Sequence, residues 1–419
     1  MRIFIKNISK LVNVRTEAPV SPLKGKEMLE LPCLDNAWLL IEDGKVSRFG
    51  RMADLDAEAC RELEASSEVT DASGRMVFPS YCDSHTHLVY AGSREMEFMD
   101  KLRGLSYQEI ARRGGGILNS VALLHRTSES DLLEQALVRA EEIIATGTGA
   151  VEIKSGYGLT VEDEVKMLRV ARKIGERTPL KVRTTFLGAH AVPERYKGNR
   201  EGYVDEIISG MLPAVAAEGL ADYVDIFCEE GFFTVEDAVR IFEAAAGYGL
   251  TPKVHANQMS FSGGVQVGVR YGAASVDHLE FTGPDEFKAL QDSGTIATLL
   301  PGATFFLDMQ FPKALEMLEY NLPLAIASNY NPGSSPSGDM KFMMALALIK
   351  MRLTPETSIN AATLNGAFAM GIAGEYGSIT PGKVANVFIT KPVPSYEFIP
   401  YSFTTPLIDR IILNGEYYG

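Results

Sequence analysis

The sequence predicts a (β/α)8 barrel of the TIM type, an α/β fold, joined to a small sheet domain built from both chain ends. Three observations predict it. Apolar runs of strand composition alternate with helical patterns through the middle of the chain, both ends are rich in strand and turn signals, and the histidines fall just after the apolar runs. Eight such runs over about 300 residues is the arithmetic of this barrel, whose chemistry sits at the C-terminal ends of its strands. A doubly wound open sheet is the competing architecture, but no G-x-G-x-x-G follows an early strand. Residues 1–75 and 376–419 form the expected small domain and residues 76–375 the barrel.

Composition bounds the function. The 419 residues are 46% hydrophobic and 22% charged, as in ordinary globular enzymes. A formal net charge of −14 argues against nucleic acid or an anionic membrane surface as partner. An anionic small-molecule substrate would need cations supplied by the site itself. The four cysteines, Cys33, Cys60, Cys82 and Cys228, form no C-x-x-C pair. The opening MRIFIKNISKLVN lacks the apolar core of a signal peptide, and no run of about 18 apolar residues occurs. Free thiols in a reducing cytoplasm are expected.

At the N-terminal end, Trp38–Val46 reads as a hairpin with Asp43-Gly44 at its turn. Val69-Thr70-Asp71 is a further strand. The C-terminal end repeats the style in Ala385–Ile389 and in Ile411–Glu416, where Asn414-Gly415 makes the turn. Between the ends, the eight runs are 76–81, 149–153, 182–187, 223–228, 252–255, 274–276, 296–300 and 323–327. Residues 131–146 place apolar side chains three and four apart, with Gly147 as a stop. Thr160-Val161-Glu162-Asp163 and Thr234-Val235-Glu236-Asp237 each open a helix with a capping-box pattern.

The barrel reading fixes where chemistry should sit. After the first run come His85 and His87, two residues apart, so that in an extended chain both point the same way. Imidazole suits zinc or iron. Two solvated loop histidines are the alternative reading of that pair alone. After the second run come Lys154 and Tyr157, after the third His190, after the fourth Glu229. The fifth ends in His255, followed by Asn257 and Gln258. Asp277 and His278 follow the sixth, Pro301-Gly302 the seventh, and Ser328–Ser334 the eighth. Of six histidines, only His125 lies elsewhere, and it is given no role.

The chain resembles the imidazolonepropionase family of metal-dependent amidohydrolases. The matching stretches are His85-Thr86-His87 through Arg94-Glu95, Gly114-Gly115-Gly116-Ile117, Glu152-Ile153-Lys154-Ser155-Gly156-Tyr157-Gly158-Leu159, Phe186–His190, Asp277-His278-Leu279 and Asn331-Pro332-Gly333-Ser334-Ser335. The resemblance implies a barrel with a small β-sandwich made of both termini. It implies hydrolysis of 4-imidazolone-5-propanoate to N-formimidoyl-L-glutamate in histidine degradation, with one zinc or iron ion. A homodimer is the expected assembly.

Carried over by motif, His85, His87 and His255 are metal ligands, with Asn329 at the fourth position. The family usually has Asp there. It also commonly has His-Ala-Asp-Glu where this chain has His255-Ala256-Asn257-Gln258, with the last residue near the substrate and its chemistry. Both departures replace a carboxylate by a neutral isostere that cannot take up a proton. Loss of a general base typically costs about 10²- to 10⁴-fold in rate. The metal is expected to activate a water and polarise the ring carbonyl.

His278 is then the best remaining proton carrier, with a histidine held by Asp277 as the alternative. Arg94 suits the propionate carboxylate by bidentate pairing, with a surface salt bridge as its alternative. Tyr157 and His190 are expected to hydrogen-bond substrate, and Tyr107 to pack or to touch it. Asn331, Gly333 and Ser334 are expected to offer polar groups, because a Pro-Gly turn can leave backbone N–H groups free. Glu229 reads equally as a solvated rim residue, and Gly114–Gly116 as a mobile lid or a tight turn. Three functions stay open: an active enzyme of this family, another amidohydrolase such as a deaminase or lactam hydrolase, or a weakened form that binds ligand without turnover.

Overall fold

The computed structural model describes residues 1–104 and 116–419. Tyr107, Gly114 and Gly115 lie outside the described residues. Gly116, at φ 88°, stands ahead of helix Ile117–Arg126.

Eight parallel strands run side by side in chain order: Tyr81–Thr86, Thr148–Lys154, Lys181–Ala189, Tyr223–Cys228, Val254–Ala256, Ser275–His278, Ile296–Leu299 and Leu324–Ile326. Helices cross between them, as a parallel sheet requires. Glu129–Ala145 starts at Ser128, whose hydroxyl accepts from Asp131 N–H. Thr160 and Thr234 cap the helices after the second and fourth strands, each accepting from the N–H three residues on. The strands are buried on both sides, so they read as apolar runs rather than alternating ones.

The first strand differs from expectation. Met76–Pro79 belongs to the terminal sheet, with Phe78 opposite Phe388 and Val77 opposite Ile389. Ser80 N–H donates to Asn386 O, and Tyr81 N–H then donates to Gly147 O, so the chain changes sheets at Ser80. The first barrel strand is Tyr81–Thr86, and His85 lies inside it rather than after it.

The terminal layer joins eight strands from both ends of the chain. Arg2–Val12 is its branch point, pairing with Cys33–Glu42 on one side and with Glu68–Asp71 and Met76–Pro79 on the other. Its alternation is clean: Ile3, Ile5, Leu39 and Ile41 pack in one cluster, Phe4, Trp38 and Leu40 in another. Both expected hairpins form. Asp43 and Gly44 have φ 49° and 81°, Asn414 and Gly415 have φ 53° and 77°, the pattern of type I′ turns. A Cβ on Gly415 would stand 2.4 Å from the Cα of Gly44, so the two turns abut. Among the described residues no helix is long and apolar enough to cross a membrane.

A set of charged groups lies sealed inside the barrel. Lys154 Nζ is 2.6 Å from Glu152, 2.8 Å from Asp225 and 3.6 Å from Asp277. Lys253 Nζ pairs with the other oxygen of Glu152. All five side chains are fully buried. Burial alone would discharge Lys154, but Asp225, Glu152 and Asp277 together hold it protonated. Buried charges persist only when paired, and removing one partner strands the others. Lys154→Met should therefore destabilise the fold by about 3–5 kcal/mol, read as a lowered urea midpoint. An unchanged midpoint would show that the carboxylates are balanced by other groups.

Candidate active site

The barrel closes where the chain after Leu324–Ile326 meets the end of Tyr81–Thr86. Asn329 N–H donates to His85 O at 2.9 Å, and His87 N–H donates to Tyr330 O at 3.0 Å. The Asp83 carboxylate accepts from Ser328 N–H at 2.9 Å and from its hydroxyl. Asn329 sits at φ 53°, a conformation that asparagine tolerates better than most residues. Its Oδ1 is buried without a partner.

His85, His87, His255 and His278 gather beside that seam. His85 donates from Nδ1 to Asp277 Oδ2 at 2.6 Å, which leaves its buried Nε2 with a lone pair and no partner. His255 Nδ1 is 3.0 Å from Asp225 Oδ2. Its Nε2 faces His87 Nε2 at 3.4 Å. That matches the N···N edge of about 3.3 Å for a tetrahedral ion with metal–nitrogen distances of about 2.0–2.1 Å. Nitrogens of His85, His255 and His278 also lie within 4.8 Å of one another. Burial holds His85 and His87 well below the usual histidine range and lowers His255. These are neutral imidazoles with carboxylates behind two of them, the arrangement that orients histidine toward a metal. Together with the orphaned Asn329 Oδ1, the donor set fits a divalent ion.

A cavity opens over this cluster. It is lined by His87, His255, His278 and Asn329 at its base and by Arg94, Tyr157, His190, Gln258, Asn331, Gly333 and Ser334 around it. His85 lies beneath, fully buried. Every described residue to which the sequence gave a metal, proton-transfer or substrate role is thus at or under one cavity. His190 Nδ1 is 3.0 Å from Gly156 O, a group that can only accept, so Nδ1 carries the proton and Nε2 the lone pair. Burial lowers His190 to about 3. Gly156, at φ 112°, has no room for a side chain: a Cβ would stand 2.8 Å from His190 Nδ1. Burial raises the Tyr157 phenol, keeping it protonated.

Several expectations are corrected. Asp277 holds His85, not His278, whose Nδ1 instead lies 3.7 Å from Glu280 Oε1. The N–H groups of Gly333 and Ser334 are not free: both donate to Asn331 Oδ1 at 2.8 Å in an Asx-type turn. Glu229 is no rim residue; it is 2% exposed and accepts from Met259 N–H at 2.9 Å. Arg94 pairs with Glu97, yet the pair is largely buried and Arg94 faces the cavity. Asn257 is buried with its amide on Phe281 O, so only Gln258 of that pair reaches the cavity. Lys154 holds carboxylates and lies beneath the site. His125 bonds Gly158 O, away from the cavity.

Sequence reading missed the apolar wall of Ile117, Phe227, Phe232, Met259 and Leu307. Such side chains carry no chemical signature. It also missed Glu97 and Asp225, although an Asp inside the apolar run Tyr223–Cys228 was a visible signal.

Comparison with known proteins agrees with this geometry. The amidohydrolase family profile matches residues 76–416. Imidazolonepropionase of Flavobacterium johnsoniae is 52% identical over 412 residues, covering 98% of each chain. That of Christiangramia forsetii is 50% identical over 416 residues, covering 99% of this chain and 100% of the relative. Among solved structures, Escherichia coli guanine deaminase superposes with a TM-score of 0.75 at 12% identity, covering 100% of this chain and 99% of its own, which speaks to the fold alone. A family match over most of the chain, and relatives half-identical along nearly all of it, agree with the histidine cluster: the chain belongs to the amidohydrolase family and, within it, to the imidazolonepropionases.

Proposed function

We propose that the chain hydrolyses the cyclic amide C–N bond of 4-imidazolone-5-propanoate, giving N-formimidoyl-L-glutamate in histidine degradation. The observation that carries this reading is one cavity with a metal-type histidine cluster at its base and a fixed guanidinium on its wall. The names of its close relatives point the same way. The residues that would hold one zinc or iron ion are His85, His87, His255 and Asn329. Such an ion supplies Lewis-acid polarisation of the ring carbonyl and a water acidic enough to react near neutral pH. Four free cysteines, two of them buried, suit a reducing cytoplasm.

The chain's own groups divide the remaining work. Arg94 pairs with the propionate carboxylate through charge-assisted hydrogen bonds. His190, neutral and protonated on Nδ1, accepts from a ring N–H with its Nε2. Tyr157 donates its phenolic proton. Gln258 and the Ser334 hydroxyl line the remaining polar wall. The described lining of the cavity contains no carboxylate, so Asn329 and Gln258 leave proton transfer to His278. It receives the proton released on attack and returns it to the ring nitrogen as the C–N bond breaks.

The purified chain, loaded with zinc or iron, should convert 4-imidazolone-5-propanoate to a ring-opened product without ammonia release, followed by mass spectrometry. A chelator should abolish turnover, and the metal should restore it. Release of ammonia instead would mark a deaminase, and no reaction would sink the substrate assignment. His278→Gln should lower kcat by about 10²- to 10⁴-fold with little change in KM. A wild-type kcat in that variant would remove His278 from proton transfer.

A further inference from the structure

The Arg94–Glu97 pair carries an inference that deepens this reading and rests on it. We propose that Glu97 is a positioning residue, which aims the Arg94 guanidinium so that the site selects a substrate carboxylate. Arg94 precedes helix Glu95–Leu102, and Glu97 stands three residues on, the spacing at which helical side chains meet. Glu97 Oε2 accepts from Arg94 Nε at 2.9 Å and from Nη2 at 2.5 Å. Its Oε1 accepts from Asn119 Nδ2 at 3.3 Å, and Gly116 N–H also donates to the carboxylate. Glu97 is 8% exposed, and the Arg94 side chain 15%.

Arginine's fork is planar and rigid, so holding one edge fixes the direction of the other. With Nε and Nη2 taken by Glu97, the edge that carries Nη1 is left for a ligand. Nη1 lies over Gly333, where a Cβ would stand 2.2 Å from it. Glycine at 333 therefore makes room for this one orientation. A long, free arginine would lose rotamer freedom on every binding event; one already held does not. Glu97 also neutralises the cation, which lets Arg94 sit partly buried in a cavity without a ligand.

The test compares Glu97→Ala and the isosteric Glu97→Gln with the unaltered metal-loaded chain. Steady-state turnover of 4-imidazolone-5-propanoate is measured beside calorimetric binding of imidazole-4-propanoate and of its neutral amide. Glu97→Ala should raise KM about tenfold, the equivalent of one lost charge-assisted contact, and leave kcat within about twofold. It should weaken the carboxylate probe by the same factor and leave the amide unchanged, with Glu97→Gln between the two. In an Arg94→Met background, Glu97→Ala should have no further effect. Equal weakening of both probes, an additive effect in that background, or an unchanged KM would overturn the proposal. Failure of the unaltered chain to bind either probe or turn over substrate would instead overturn the proposed function, and this assignment with it.

Discussion

Three buried carboxylates set against two buried lysines are what the rest of the site depends on. Glu152, Asp225 and Asp277 are balanced by Lys154 and Lys253, all without solvent. Two of the carboxylates also serve the imidazoles above them, Asp277 at His85 and Asp225 at His255. His255 and Lys154 overcome burial to hold the Asp225 carboxyl below its usual range. The carboxylates lie directly behind the histidine cluster. In the proposed metal site, where the neutral Asn329 takes the fourth position, those carboxylates favour a divalent ion, which stabilises and is stabilised by nearby negative charge.

The seam of the barrel gives this network its address. A barrel must close somewhere, and here closure runs through Asn329 N–H to His85 O and His87 N–H to Tyr330 O. The backbone bonds that finish the fold are those that bring the first and eighth strands' functional residues together. The cavity, the orphaned Asn329 Oδ1 and the guanidinium over Gly333 all lie along this junction. Stability and site geometry are therefore one requirement in this region, whereas the terminal sheet, with its abutting Asp43-Gly44 and Asn414-Gly415 turns, is remote from the chemistry.

Much of this was legible in the sequence because it follows from period and position. Parallel strands buried on both faces write themselves as apolar runs, and Thr160 and Thr234 announce helix starts. Histidines at strand ends betray a barrel site. What escaped detection has physical reasons. Met76–Pro79 and Tyr81–Thr86 form one apolar stretch, and composition does not reveal that Ser80 is where it changes sheets. The partner of each carboxylate depends on side-chain direction across strands, so the sequence offers Asp277 to its neighbour His278 as one of two readings, whereas it turns to His85. The free N–H groups expected at Pro332-Gly333 were consumed by Asn331, a local bond that only coordinates reveal. Asp225 in an apolar run, and Lys253 before His255, were signals of buried ion pairing.

On the proposed function, carboxylates behind the imidazoles, rather than a carboxylate ligand, prepare this chain for a metal ion. The direct measurement is a zinc titration of the metal-stripped chain beside Asp277→Asn, followed by calorimetry. One ion per chain is expected, bound about 10- to 100-fold more weakly when Asp277 is replaced. Two ions per chain, no binding, or equal affinity in the two proteins would contradict it.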